Sequence, residues 1–311
     1  VPPVPPTALS GYLPPEAAAY VYLDVAAAPE LARRIIAAAG VEDREARRIL
    51  ARTARVAAAL IGAPTGAGGP GAASPEGAGQ NRGSGGTFVL AASGRIPGFL
   101  VEAMLEDDEE WSRRTVTVAG TRYGLWRRRA DGLELAFPDR RLVLAGTGAV
   151  EAALAREAIT PAPGSASADR HAAVIALPRS EMPGPFGVRR IEVEDLELRA
   201  NPVDRVSGED RGPGMAEEAG QRAWRIGGTM RLPDEGTARA VTALVRLLAI
   251  SMIADTGADP SAAAGELDVE RDRSTVMIEG IVMDERYLLE ALDEFPAAVV
   301  TPRRGEPAAD R

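Results

Sequence analysis

The chain has 311 residues, of which 45% are hydrophobic, only 4% are aromatic and 26% are charged, with a formal net charge of −9. It contains no cysteine, and all of its Lys/Arg positions are arginine. Disulfides, thiolate nucleophiles, Cys-based metal sites and Schiff-base or phosphate-loop lysines are therefore excluded, and the net charge argues against a general nucleic-acid binder.

The length suggests about two domains. Residues 1–15, VPPVPPTALSGYLPP, read as a Pro-rich tether and as a mature N-terminus from which a targeting segment has been removed. A first α+β half is expected over 16–158. Its first strand runs from Ala19 to Val25, with Tyr20 and Tyr22 on one side and Val21, Leu23 and Val25 on the other. Pro29 opens a short helix with Leu31, Ile35 and Ile36 inward and Gly40 at its end. Asp43 is placed to cap a second helix running to about Ile61. Residues 62–86 are almost entirely Gly, Ala, Pro and Ser and read as a disordered insertion.

Order is expected to resume with the strand GTFVLAAS. A short helix after Pro97 carries Phe99, Leu100, Ala103 and Met104 on one side. Strands follow over Thr115–Ala119 and Thr121–Arg128, joined by a tight turn at Ala119-Gly120. A turn at Asp131-Gly132 leads to Leu133–Phe137 and then Arg141–Ala145, before a helix from Ala149 to Glu157. Residues 159–170 read as a linker. The second half, 171–300, offers strands near Ala173–Leu177, Ile191–Leu198 and Trp224–Leu232, with a polar Gly-rich loop after Val206. Asp234 caps the helix GTARAVTALVRLLAISMIA; the strands ELDVERD and STVMIEGI and a helix after Asp284 follow. Residues 301–311 read as a disordered tail.

The two halves end alike, in a strand, an Asp-Arg turn, a strand, a Gly and a helix, which suggests a duplicated unit. The fold class expected is α+β: two similar halves of mostly antiparallel strands with helices packed on the sheet, in α+β+α layers.

Catalytic arrangements are hard to assemble from these residues. His171 is the single histidine and has no second His or Cys to join it at a metal. The Gly146-Thr147-Gly148 turn resembles a dinucleotide-binding loop, but Glu151 would oppose the pyrophosphate and the flanking strands read as hairpins. Asp107–Glu110 lacks the spacing of a calcium loop. Glu192, Glu194, Asp195 and Glu197 interleave with Ile191, Val193, Leu196 and Leu198, as on a half-solvated strand. No enzyme activity and no cofactor are expected.

Amphipathic patterning is the positive signal. At helical pitch, Arg44, Arg47, Arg48, Arg52 and Arg55 fall within an arc of about 140°, opposite Ile49, Leu50, Val56, Leu60 and Ile61. That profile suits either a surface helix on a sheet or a helix lying in an anionic interface with its Arg stems snorkelling. The helix Ala238–Ala254 is apolar nearly all round, including Val241, Leu244, Val245, Leu248 and Met252, yet too short to span a bilayer.

The segments YVYLDVAAAPELARRI, RILARTARVAAAL, TRYGLWRRR, ELDVERDRSTVMIEG and MDERYLLEAL, in this order, resemble the treponemal concealed outer-membrane lipoprotein family. The resemblance is diffuse, covers most of both halves and omits 62–86. It implies an α+β+α fold and a periplasmic, outer-membrane-associated lipoprotein, anchored through an N-terminal Cys that this chain lacks. It also implies amphipathic helices that bind lipid and insert into the bilayer, perturbing or permeabilising it. The elements implied are Arg44–Ile61, Phe99–Met104 and Ala238–Ala254, and the implied partner is an anionic phospholipid or an acyl chain. The alternative is a cell-envelope protein-interaction module that binds a protein partner and no lipid.

Limited proteolysis tests the insertion: the first cleavages should fall within 62–86 while both halves stay folded. Deleting most of the segment should leave the unfolding midpoint nearly unchanged.

Overall fold

The computed structural model describes residues 6–38, 50–61, 87–156, 161–182, 191–203, 223–255 and 268–285. Its strands are β1 (Ala19–Asp24), β2 (Thr53–Ile61), β3 (Thr87–Gly94), β4 (Trp111–Val118), β5 (Thr121–Arg128) and β6 (Leu133–Asp139). They continue with β7 (Leu142–Thr147), β8 (Ala173–Met182), β9 (Ile191–Val203), β10 (Ala223–Arg231), β11 (Asp268–Asp272) and β12 (Thr275–Asp284). The helices are α1 (Pro6–Ser10), α2 (Pro29–Ala38), α3 (Gly98–Glu106), α4 (Val150–Leu154), α5 (Ser165–Ala168) and α6 (Glu235–Asp255).

All twelve strands join one antiparallel sheet in the order β11-β12-β10-β9-β8-β1-β2-β3-β7-β6-β5-β4. The order displays a duplication. The meander β1-β2-β3 is followed by α3 and by strands that return to set β7 beside β3. The meander β8-β9-β10 is followed by α6 and by a hairpin that returns to set β12 beside β10. The halves meet where β1 pairs antiparallel with β8, Tyr22 opposite Val174.

Alternation along the strands builds a core on each face of this sheet. On one face, Tyr20, Tyr22, Ala57, Ala59, Val89, Ala91, Leu144 and Val174 pack beneath Leu9 of α1, Val150 and Ala153 of α4, and Ala168 of α5. On the other, Leu23, Val56 and Ala92 pack beneath Leu31 and Ala32 of α2, and Leu177, Leu196, Met230 and Val276 beneath Ala238 and Val241 of α6. The result is the expected α+β+α layering. Turn chemistry agrees with the hairpins: Ala119 and Gly120 both have positive φ, 48° and 79°, as a two-residue type I′ turn requires. Asp234 Oδ1 accepts the Thr237 N–H at 2.8 Å at the start of α6, and hydrogen bonds from Thr237 hold its carboxyl below the usual carboxylate range.

Two expectations are corrected. The helix from Asp43 to Ile61 does not exist over Thr53–Ile61, which is β2, hydrogen-bonded to β1 and β3 in the middle of the sheet. A strand buried on both faces has no polar side, so TARVAAALI shows no clean alternation, and its alanines are as compatible with a helix as with a strand. Val56 is 4% exposed and Ala57 and Ala59 are buried on the opposite face. The segment 159–170 does join the halves, but over 161–170 it is a packed crossing rather than a free linker: Ala162, Ser165, Ser167 and Ala168 are buried. Gly164 adopts φ 78° to start α5, and a Cβ there would lie 3.0 Å from Ala176.

Asp43, Arg44, the insertion 62–86, the loop after Val206, the helix beyond Glu285 and the tail 301–311 lie outside the described residues.

The position of Ala59 provides a test. It is 1% exposed in the core beneath α1, so Ala59→Leu should overpack the sheet and cost about 1–3 kcal/mol. Urea unfolding should show a lower midpoint with little change in slope.

Candidate membrane-contact site

The short helix α3 lies on the α2/α6 face of the sheet, over β5. Residues alternate there: Tyr123 and Leu125 point into the core beneath α1 and α4, while Gly124 and Trp126 point the other way. A Cβ on Gly124 would meet the Arg113 guanidinium at 3.1 Å and Glu102 Oε1 at 3.3 Å. The missing side chain opens a passage for Arg113 between helix and sheet. Arg113 sits 5.3 Å above the Trp126 ring centroid and donates to Glu106 Oε1 at 3.0 Å. At the helix start, Gly98 lies against Phe137, with its Cβ position 3.3 Å from the ring.

Docked this way, α3 turns its bulkiest apolar groups outward. Phe99 is 70% exposed and Met104 72%; Ala103 is exposed between them. Burying one such side chain is worth about 1.5–3 kcal/mol, and the fold leaves both in water. Glu102 is half-buried toward β5, whereas Glu106 reaches Arg113 from an exposed position, so acids and apolar groups share the solvent side of the helix.

The other predicted elements divide. In α6, Val241 is buried, Leu244 and Val245 are half-buried, and Leu247 is 65% exposed. Arg246 donates to the Val269 carbonyl at 2.6 Å, tying the helix to β11. From the region of β2, Leu50 packs against the α2 core and Val56 belongs to it, while Leu60 and Ile61 pack on the cores of the two faces. Arg55 stands opposite Asp24 in register and Arg52 is exposed. The structure therefore does not bring the predicted basic arc together over Thr53–Ile61. Arg47, Arg48 and Ile49, and the side chains of Leu100, Leu248 and Met252, lie outside the described residues.

Sequence reasoning missed Leu247 and a second cation–π pair, Arg128 over Trp111 at 5.6 Å. Trp111 and Arg128 are cross-strand partners, as are Arg113 and Trp126. The signal was present in WSRR and LWRR once the hairpin register was drawn. Arg128 also hydrogen-bonds Asp131, which holds the Asp131 carboxyl below the usual carboxylate range.

Among the described residues no group of His, Asp and Glu is arranged to hold a metal, and no catalytic constellation is found. No helix among them is long and apolar enough to cross a membrane. His171 has a structural role. The Ala172 N–H donates to Asn201 Oδ1 at 2.9 Å, which leaves Asn201 Nδ2 to donate to His171 Nδ1 at 2.8 Å.

No protein-family model and no curated protein matches the sequence. Solved structures match its fold. Crystal form III of TP0453, a member of the treponemal family that the sequence resembles, superposes with a TM-score of 0.54 at 12% identity, covering 91% of this chain and 97% of that chain. Crystal form I gives 0.54 at 12% identity, covering 94% and 97%. Crystal form IV gives 0.51 at 11% identity, covering 91% and 95%. The chain has the fold of TP0453, as the resemblance implied.

The histidine contact sets a pH dependence. Asn201 can donate to Nδ1 only while the ring is neutral. Burial, then Arg199 and Arg170, lower the His171 pKa from its ordinary 6.5, against smaller opposite effects of Glu197 and Glu279. Below that ordinary value the unfolded chain takes up a proton that the folded chain resists, so stability falls as pH drops from 6.5 toward the folded pKa. Thermal melts through this window should show that slope, and His171→Gln should flatten it.

Proposed function

We propose that the protein is a periplasmic, outer-membrane-associated lipid-binding protein that meets the bilayer through apolar residues on the α3 and α6 side of the sheet. The single observation that carries this reading is α3, a nine-residue helix that leaves Phe99 and Met104 bare. Leu247 of α6 adds a third bare side chain on the same face. Large apolar groups left bare on one short helix mark an interaction surface; Leu247 lies toward the other edge of the sheet, over β11 and β12. Likeness in fold to TP0453 supports the choice of lipid as partner, through the family that the sequence resembles.

The mechanism follows from the physical chemistry of an interface. Phe99 and Met104 enter the acyl boundary, where the burial forgone in water is recovered. The Arg113–Trp126 pair on β4 and β5 lies beside α3, and at headgroup depth an aromatic ring and a guanidinium group are both favoured. An acyl anchor preceding Val1 would supply a second attachment, and two weak attachments together hold a protein where either alone is marginal. Deeper insertion of α3 and α6, with perturbation of the bilayer, belongs to the same proposal.

Liposome flotation tests it. The parent chain should float with vesicles, and Phe99→Ser/Met104→Ser should lose most of that binding, about tenfold or more. Both positions are exposed, so the variant should keep the parent unfolding midpoint. A folded double variant that floats like the parent removes α3 as the contact; capture of an envelope protein without flotation points to the interaction-module alternative.

A further inference from the structure

The strand register gathers basic residues that are far apart in sequence at one end of the sheet. Thr53 of β2 pairs with Gly94 of β3, Ser93 of β3 with Leu142 of β7, and Leu142 with Asp139 of β6. The residues just beyond these pairs are Arg52, Arg95, Arg140 and Arg141. Backbone hydrogen bonds tie them directly: Arg95 N–H to the Arg52 carbonyl at 2.7 Å and Gly94 N–H to the Arg141 carbonyl at 2.9 Å. Gly94 permits the approach, since a Cβ there would lie 2.0 Å from the Arg52 carbonyl oxygen. Arg122, in the β4–β5 hairpin, lies at the same end.

All five arginines are exposed, and none is in an ion pair with a described residue. Two carboxylates at this end hydrogen-bond the backbone rather than these guanidinium groups. Asp139 accepts the Arg141 N–H at 2.6 Å, and Asp24 accepts the N–H groups of Ala26 and Ala27. On a chain with a net charge of −9, five free guanidinium groups on four separate connections form a concentrated positive rim. Phe99, in the first turn of α3, follows Arg95 by four residues and is likewise exposed.

We infer that this rim is the part of the protein that meets an anionic bilayer surface, with Arg52, Arg95, Arg122, Arg140 and Arg141 on lipid phosphates and Phe99 as the adjoining apolar wedge. The inference rests on the lipid reading proposed above. It assigns the charge attraction to residues that only the folded sheet brings together, rather than to a basic helix face. Charge complementarity selects the partner: guanidinium groups pair with phosphate oxygens and carry no complement to an acyl chain alone. The attraction is screened by salt, whereas the Phe99 contact is not.

The test compares variants on two vesicle types, phosphatidylcholine alone and phosphatidylcholine with phosphatidylglycerol. Arg95→Gln/Arg140→Gln/Arg141→Gln removes three rim charges. Arg127→Gln/Arg129→Gln/Arg273→Gln removes three exposed charges at the opposite end, so both proteins have the same net charge. The rim variant should bind anionic vesicles roughly a hundredfold more weakly, about fivefold per arginine, and lose most of its salt dependence. The control should bind as the parent does, and thermal melts should show all three folded alike. A rim variant that binds like the parent, or a control that loses as much, overturns the rim and leaves the lipid reading standing. A parent chain that binds neither vesicle overturns both.

Discussion

The pairing of β1 with β8 is the interaction on which the rest of the molecule depends. Each half is an open antiparallel sheet, and the junction turns two such sheets into one without an intervening barrel or sandwich. An open sheet has two faces and must cover both or make one of them polar. The first half covers both, with α1, α4 and α5 on one side and α2 and α3 on the other. The second half covers one face with α6 and makes the other polar: Glu197, Arg199 and Asn201 of β9 alternate with Leu196, Leu198 and Ala200. Arg199 there is half-buried and stands 3.9 Å from Glu197 and 4.0 Å from the exposed Glu279, both long contacts.

The layering assigns the helices their roles. The helices over Tyr20 and Tyr22 are short, and their apolar residues are consumed by the core. On the opposite face α3 and α6 occupy equivalent places in the two repeats, each following the third strand of its meander. Both cover sheet with one side and show apolar residues on the other. A duplicated scaffold thus presents two apolar helices on one surface, and α3 departs further from a solvent-adapted helix because it leaves both Phe99 and Met104 bare.

Much of the fold was legible from sequence because its hairpins are built from local signals. Ala119-Gly120, Asp131-Gly132 and the Asp-Arg turns announce their geometry through residues that tolerate positive φ or bond their own backbone. Tyr20 and Tyr22 against Val21 and Leu23 show a period of two that only a strand satisfies. The segment Thr53–Ile61 failed because nothing in it separates the periods: a strand buried on both sides and rich in alanine offers no contrast. The local pattern put Phe99 and Met104 on one side of a short helix but left open whether that side met a core or lipid, since their exposure is decided by how the helix docks on the sheet. The arginine rim was invisible in principle, since its members are assembled only by long-range register.

The joint between the halves also governs how the chain reaches this state. As the N-terminal half emerges during synthesis, its strands can pair in the order β4-β5-β6-β7-β3-β2-β1, which leaves β1 as an open edge. That edge reads AYVYLD, with one charge at its very end, and has none of the lysines, prolines or bulges by which proteins guard a free strand. Until β8 arrives, the growing chain carries an adhesive border able to accept a strand from any neighbour, including another copy of itself. The mature molecule hides this hazard at its centre, so a delay between the halves would lead to misassembly rather than to a merely slower fold.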